Sequence, residues 1–463
     1  MKLRILIICP QAVGPAWLRQ FVLHNSGQVT PWRHQLDAAA WFADRQYGLL
    51  AGDMGTGKSL TACMIAAGSE QIVPLLLTTG TGKARAKALA TRLAAATGES
   101  LAVIINYDSV WRPEVAAVLN RVKWDAIITD ESHRIKSPTG RASKWIAGLA
   151  RANPQAKRLA LTGTPMPHSP LDLWAQFRFL NPDIFGQSFV AFRARYAICD
   201  RMFPSKVIRW VRQDELTAKL DANAWRVKAD DVLDLPDAMH ETIAVELEPA
   251  ARKFYDALAR DMAAELETGV VTAANALTRL LRLHMATSGY TRLDSPDGIQ
   301  PRSLLRLTAH PAKQAALADW LTDLPHNEPV VVFARFRCDL IEIAAVAKAL
   351  GRPYSELSGE ANGLAEWQDG KTTVLGVQLQ SGGVGIDLTR AAFAAYYSMG
   401  FNLGDYTQSL ARLRRPGQTR CVRYYHLVAS NTIDEQIYKA LSDRSDVVES
   451  VLTKLSPRQE AFA

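Results

Sequence analysis

The sequence predicts an α/β protein built as two lobes, each a parallel sheet covered by helices. Three observations predict it. The chain has 463 residues, more than one compact domain of roughly 100–200 residues usually holds. Short apolar runs bounded by turn or polar residues alternate with helical stretches, which is the signature of strands crossing over through helices into a parallel sheet. That alternation occurs twice, with helical sequence between the two series.

The first series of strands is read at 5–9, 48–51, 73–78, 102–106, 126–129 and 158–161, with helices at 31–44 and 59–67 between them. These strands are apolar on both faces, as expected where helices cover both sides of a sheet. From 171 to 228 the pattern turns helical and irregular, with Trp and Arg throughout, and reads as an insertion on the first lobe. Long helical patterns come next, at 249–269 and 272–284. The cluster of Asp, Ser, Pro and Gly at 293–303 reads as an exposed loop. The second strand series lies at 330–333, 373–377, 394–398 and 422–427. The expected domains are therefore 1–235, with the insertion, and 236–463, with the bridging helices.

Composition bounds the function. Hydrophobic residues make up 48% and charged residues 22%, an ordinary globular mix. Lys plus Arg number 54 against 46 Asp plus Glu, a formal charge of +8, compatible with a polyanionic partner without establishing one. Cys9, Cys63, Cys199, Cys338 and Cys421 form no CxxC pair, so neither a zinc site nor a disulfide framework is indicated. Scattered thiols fit a reducing cytoplasm, the expected location. No apolar run approaches the ~20 residues that span a bilayer. The first residues imitate a signal peptide, but Pro10 and Gln11 interrupt the apolar stretch and secretion is not expected.

Two motifs carry chemistry. Gly52-Asp53-Met54-Gly55-Thr56-Gly57-Lys58-Ser59 matches GxxxxGK[ST], between an apolar strand and a helix. Its glycines let backbone N–H groups turn toward phosphates, and the helix N-terminus adds partial positive charge. Lys58 is the candidate for the β- and γ-phosphates and Ser59 for Mg²⁺. The second motif is Asp130-Glu131 at the end of an apolar strand. Asp130 is the candidate to hold Mg²⁺ and Glu131 to polarise the attacking water. Such a pair is common by itself and gains meaning beside a phosphate loop.

Asp130-Glu131-Ser132-His133-Arg134-Ile135-Lys136 resembles the DExH box of helicase superfamily two, and its trailing Arg-Ile-Lys resembles the Swi/Snf-type DNA translocases. Further blocks agree in order. Pro31-Trp32-Arg33-His34-Gln35 is similar to the Q motif, in which Gln35 would read adenine. Leu161-Thr162-Gly163-Thr164-Pro165, with Leu173-Trp174 after it, resembles motif III. Trp225-Arg226-Val227-Lys228 with Leu235-Pro236 resembles the entry to the second lobe. Ser381-Gly382-Gly383-Val384-Gly385-Ile386-Asp387 resembles motif V, and Gln408 to Gln418 resembles motif VI.

The resemblance implies two RecA-like lobes with ATP in the cleft between them, and a DNA-dependent ATPase using ATP and Mg²⁺. Gln35, Gly52, Gly55, Thr56, Gly57, Lys58, Ser59, Gly385 and Asp387 would bind nucleotide. Arg412 and Arg415, read as three apart on one helix face, would reach the phosphates from the second lobe. The implied function is ATP-dependent translocation or remodelling on double-stranded DNA. A strand-separating DNA helicase and a non-catalytic DNA-binding scaffold remain open. Arg414 stands where the family often has His, and His168 where it has Asn; neither is a phosphate ligand. The compact chain resembles phage and mobile-element members.

Residues 4–21 resemble motif Ia, which in the family comes after the phosphate loop and here precedes it. A parallel sheet does not need its strands in sequence order, so 5–9 is expected inside the first sheet, with Pro10 and Gln11 at its C-terminal edge. The candidate DNA contacts are Pro10, Gln11, Asn106, Tyr107 and Ser381 to Gly383. The run 201–212, with Lys206, Arg209, Trp210 and Arg212, is read as a hairpin with a basic face.

Overall fold

The computed structural model of the chain describes residues 2–10, 19–20, 29–68, 70–76, 82–96, 98–167, 169–200, 207–268, 273–292, 304–379 and 386–443. They form two compact units, Met1–Asp234 and Leu235–Ala463.

Strands in the first unit are β1 (Arg4–Cys9), β2 (Tyr47–Gly52), β3 (Val73–Leu76), β4 (Leu101–Asn106), β5 (Ala126–Asp130), β6 (Lys157–Thr162), β7 (Ala197–Cys199), β8 (Val207–Trp210) and β9 (Ala224–Val227). Seven of them make one sheet in the order β3-β4-β1-β5-β6-β2-β9, and every pairing in it is parallel. The first strand in sequence thus takes an interior place. Ile5 pairs with both Ala102 and Ala126, and Ile5, Leu6, Ile7 and Ile8 are fully buried. Each such side chain contributes ~1.5–3 kcal/mol on burial, which is why an N-terminal run this apolar docks between two strands instead of lying on an edge.

One expectation changes. The stretch 171–228 is not wholly an insertion, because Ala224–Val227 pairs with Leu49–Gly52 as the edge strand β9 of the main sheet. Trp225, Arg226 and Val227 lie in the first unit. The hairpin arms are Ala197–Cys199 and Val207–Trp210, paired antiparallel; Arg201 and Lys206 lie outside the described residues.

In the second unit the strands are β10 (Ala238–Val245), β11 (Tyr290–Arg292), β12 (Leu304–Arg306), β13 (Val330–Ala334), β14 (Tyr354–Leu357), β15 (Val374–Gln378), β16 (Phe393–Tyr396) and β17 (Val422–Ala429). Six form a second all-parallel sheet, β10-β17-β16-β13-β15-β14. The helices Pro249–Thr268 and Ala273–Thr287 precede its interior strands. The protein is thus α/β with two parallel-sheet lobes. No helix among the described residues is long and apolar enough to cross a membrane.

Candidate functional site

In a parallel sheet all the C-terminal strand ends lie along one edge, where such sheets bind ligands. The loops after β2, β5 and β6 of the first unit therefore share an edge, and they carry the phosphate loop, Asp130-Glu131 and Gly163-Thr164-Pro165 respectively.

The phosphate loop is shaped by two left-handed glycines, Gly55 (φ 83°) and Gly57 (φ 75°). At Gly57 a Cβ would strike the amide nitrogen of Gln35, so the position excludes side chains on two grounds. The helix Lys58–Ala67 starts immediately after it, with Ser59 in its first turn. Lys58 Nζ donates to the carbonyls of Gly52 (2.8 Å) and Asp53 (3.0 Å), and Thr56 Oγ1 donates to Asp53 O (2.7 Å). Gln35 is buried. Its Oε1 accepts from Trp32 N (3.0 Å), and its Nε2 faces the carbonyls of Thr56 (3.5 Å) and Gly57 (3.4 Å). The expected adenine-reading amide thus braces the back of the loop. The loop is also fastened to β9 and the residues just after it: Asp53 N donates to Val227 O and Asp53 Oδ2 accepts from Ala229 N, each at 3.0 Å.

Asp130 and Glu131 are both buried at the end of β5. Glu131 has φ 50° and ψ 56°, a left-handed conformation that costs an L-residue ~1–2 kcal/mol. Its N–H donates to Asp130 Oδ1 (3.0 Å). His133 Nδ1 lies 3.1 Å from Thr162 Oγ1 and 3.4 Å from Glu131 Oε2. Burial, helped by Lys136 and Arg134, holds His133 down at about 4, so at neutral pH its contact with Glu131 is not an ion pair. Thr162 Oγ1 in turn accepts from Thr164 N (3.0 Å). Ser132 Oγ donates to Gln176 Oε1 (2.7 Å), and Gln176 Nε2 donates to Pro165 O (2.7 Å). Two separate bridges therefore join the loop after β5 to the loop after β6.

Of the candidate DNA contacts, Tyr107 departs from expectation. It is buried, and its hydroxyl donates to Asp130 O at 2.7 Å; burial first, then Asp130, pushes its pKa well up. The ring supports the carboxylate strand and has no surface to offer. Asn106 Oδ1 accepts from Arg85 Nη1 (3.3 Å) beside the end of β1. Pro10 is buried at that end. Arg209 and Arg212 are exposed and Trp210 half-buried. Gln11, Ser381, Gly383 and Gly385 lie outside the described residues.

In the second unit, Arg412 is in the helix Leu403–Leu413, but Arg415 is not. Arg414 caps that helix with ψ 85°, so the two arginines do not share a helix face. They converge by a different route. Arg415 Nη1 donates to Ile386 O (3.1 Å), and Arg412 O accepts from Leu388 N (3.1 Å). Both arginines thus hold the segment carrying Asp387, whose Oδ1 accepts from Thr389 N (3.0 Å) and Oγ1 (2.7 Å). Arg415 Nε is buried with no hydrogen-bond partner among the described residues.

The donor set fits nucleotide and magnesium. Lys58, the loop N–H groups and the helix N-terminus are cationic or partly so, as phosphates require. Ser59 and Asp130 offer hard oxygens, and Mg²⁺ commonly takes only one or two carboxylates from protein, with phosphate oxygens and water completing the shell.

Residues 69–288 match the SNF2-related domain. The matched stretch is similar to that domain and covers just under half of the chain. The matched region includes Asp130, Glu131 and Gln176 and begins after the phosphate-loop helix. The chain is 27% identical over 373 residues to protein p41 of Acyrthosiphon pisum secondary endosymbiont phage 1, covering 75% of this chain and 76% of that one. It is 25% identical over 372 residues to an uncharacterized ATP-dependent helicase of Mycoplasma pneumoniae, covering 77% of this chain and 33% of the helicase. To the mouse SWI/SNF-related matrix-associated actin-dependent regulator of chromatin subfamily A member 1 it is 24% identical over 358 residues, 73% of this chain and 32% of that one. The chain thus spans about a third of the last two relatives' length. The relatives it resembles thus include a protein named an ATP-dependent helicase.

Proposed function

We propose that the protein is a DNA-dependent ATPase that moves along double-stranded DNA. The observation that carries the reading is the site at the edge of the first sheet. A phosphate loop, a buried carboxylate pair and a third loop bridged to the residues that follow that pair are all supplied by one set of strand ends. Lys58 and the loop N–H groups bind the phosphates, and Gln35 keeps the loop in shape. Ser59 and Asp130 hold Mg²⁺, which when bound neutralises phosphate charge. Glu131, fixed by its backbone, orients a water for attack. Arg412 and Arg415 are assigned to transition-state charge by their resemblance to motif VI, and the unpartnered Nε of Arg415 supports that assignment. An arginine in this role is worth several orders of magnitude in rate.

Double-stranded DNA as the track rests on the SNF2-related match and on the Arg134-Ile135-Lys136 extension. The test is ATP turnover with no DNA, with single-stranded DNA and with duplex, alongside third-strand displacement and unwinding of a plain fork. Duplex should stimulate turnover, and the third strand should be displaced without fork unwinding. Equal turnover with and without DNA at several salt concentrations defeats the reading. Efficient fork unwinding replaces it with a strand-separating helicase. Stimulation should weaken as salt rises, because phosphate contacts release counterions.

A further inference from the structure

Gln176 stands in the helix Asp172–Leu180 with no exposed surface. A buried amide is costly unless its acceptor and both donor hydrogens are satisfied. Here all three are used. Oε1 accepts from Ser132 Oγ at 2.7 Å, and Nε2 donates to Pro165 O at 2.7 Å and to Asp172 O at 2.9 Å. The bond to Asp172 returns to the same helix. The other two join different loops, the one after β5 and the one after β6. A methionine would fill nearly the same space without the desolvation of an amide, so filling volume does not account for glutamine here.

Ser132 is next to Glu131 and also has no exposed surface. Glu131 holds φ 50°, a backbone state that persists only where the surroundings over-determine it. Its own N–H bond to Asp130 and the bond from Arg134 N to Glu131 O (2.9 Å) fix it from either side. The serine hydroxyl on Gln176 fixes the residue between them. We propose that Gln176 is a positioning residue for ATP hydrolysis. Through Ser132 it holds Glu131 in its left-handed conformation, and through Pro165 it makes that hold depend on the loop after β6. The inference rests on the ATPase reading and names a residue through which the third loop acts on the carboxylate.

The test compares wild type, Ser132→Ala, Gln176→Met and the double variant in steady-state ATP turnover, fluorescent-nucleotide titration and thermal melting. Lys58 and the phosphate loop are untouched, so nucleotide affinity and KM should stay within about twofold. A catalytic group displaced by a fraction of an ångström should lower kcat by about 10- to 100-fold. Because both substitutions cut one link, the double variant should lose no more than the worse single variant. Unchanged kcat, or a loss that appears in KM and nucleotide affinity instead, overturns the proposal. So does a double-variant loss equal to the product of the two single losses. If Gln176→Met does not fold, Ser132→Ala, which deletes one hydroxyl, decides alone by the same split. A wild type without ATP turnover overturns the ATPase reading and this proposal with it. A wild type with turnover and variants equal to it overturns this proposal only.

Discussion

Lys313→Met should destabilise the second unit in a way that depends on pH. Lys313 has no exposed surface and its ammonium lies 2.5 Å from Asp434 Oδ2, a carboxylate equally buried at the start of the helix Ile433–Ser442. Asp434 also accepts from Thr287 Oγ1 (3.0 Å) and Ala429 N (3.2 Å). Burial raises the pKa of Asp434, but Lys313 and then His284 outweigh it, and the net direction is down. Removing one partner of a buried pair costs ~3–5 kcal/mol. The cost at pH 7 also has a ceiling, because the stranded carboxyl can take up a proton. Protonating a group of ordinary pKa ~3.9 at pH 7 costs ~4 kcal/mol, and at pH 5 ~1.5 kcal/mol. The sign comes from linkage. In the wild type the depressed Asp434 contributes stability that is present above ~4 and lost as pH falls through its folded value. In the variant the raised carboxyl loses stability as pH climbs. The gap between the two therefore widens from pH 5 to pH 7. At ~2–4 °C per kcal/mol for a unit of this size, Tm should fall by about 8–16 °C at pH 7 and about 3–6 °C at pH 5. Calorimetry of both proteins at the two pH values measures this. The reasoning fails if the shift is the same at both, or below about 2 °C at pH 7.

Buried neutral histidines make the fold acid-sensitive. Burial leads in holding His133 down at about 4 and His284 and His426 at about 3. The unfolded chain binds their protons from ~6.5 downward while the native one does not, so each removes ~1.4 kcal/mol per pH unit between ~6.5 and its folded value; flat stability between pH 6.5 and 5 in urea titrations contradicts this. Gly57→Ala combines a left-handed φ with a clash at Gln35, and should weaken nucleotide binding by about 5- to 30-fold, a strain of ~1–2 kcal/mol acting on the loop; normal affinity in a fluorescent-nucleotide titration would place the strain elsewhere. Arg415→Ala should keep near-normal nucleotide affinity while turnover drops by about 10³-fold, whereas Lys58→Ala should lose both. Near wild-type turnover in Arg415→Ala moves the role to Arg412 or Arg414.

What could be read from the sequence depends on which physical signal each residue carries. Ile5, Leu6, Ile7 and Ile8 form an unbroken apolar run, and only an interior strand or helix accommodates that; Pro10 rules out a long helix, so the interior strand was legible. The phosphate loop was legible because Gly55 and Gly57 have few other uses beside Lys58. By contrast, Ala224-Trp225-Arg226-Val227 is short and carries an arginine, as an edge strand with one open side permits, and nothing in its composition separates it from a loop. The end of the arginine helix left a signal that a local reading can use: Pro416 disfavours helical geometry at Arg415, so a shared helix face for Arg412 and Arg415 was already doubtful. Gln176, Lys313 and Asp434 lie beyond such signals. Each is a polar residue in a helical pattern, where exposure is the rule, and each is buried because its partners come from segments far away in sequence: Ser132 and Pro165 for the first, Thr287 and one another for the other two. A polar side chain becomes interior when tertiary structure supplies its hydrogen bonds, and one-dimensional periodicity holds no record of that supply. The same reasoning explains why the motif residues pointed to ATP chemistry while the residues that brace them emerged only in three dimensions. Groups that meet phosphate need particular atoms at particular spacings, but a brace needs only a donor or acceptor that happens to arrive.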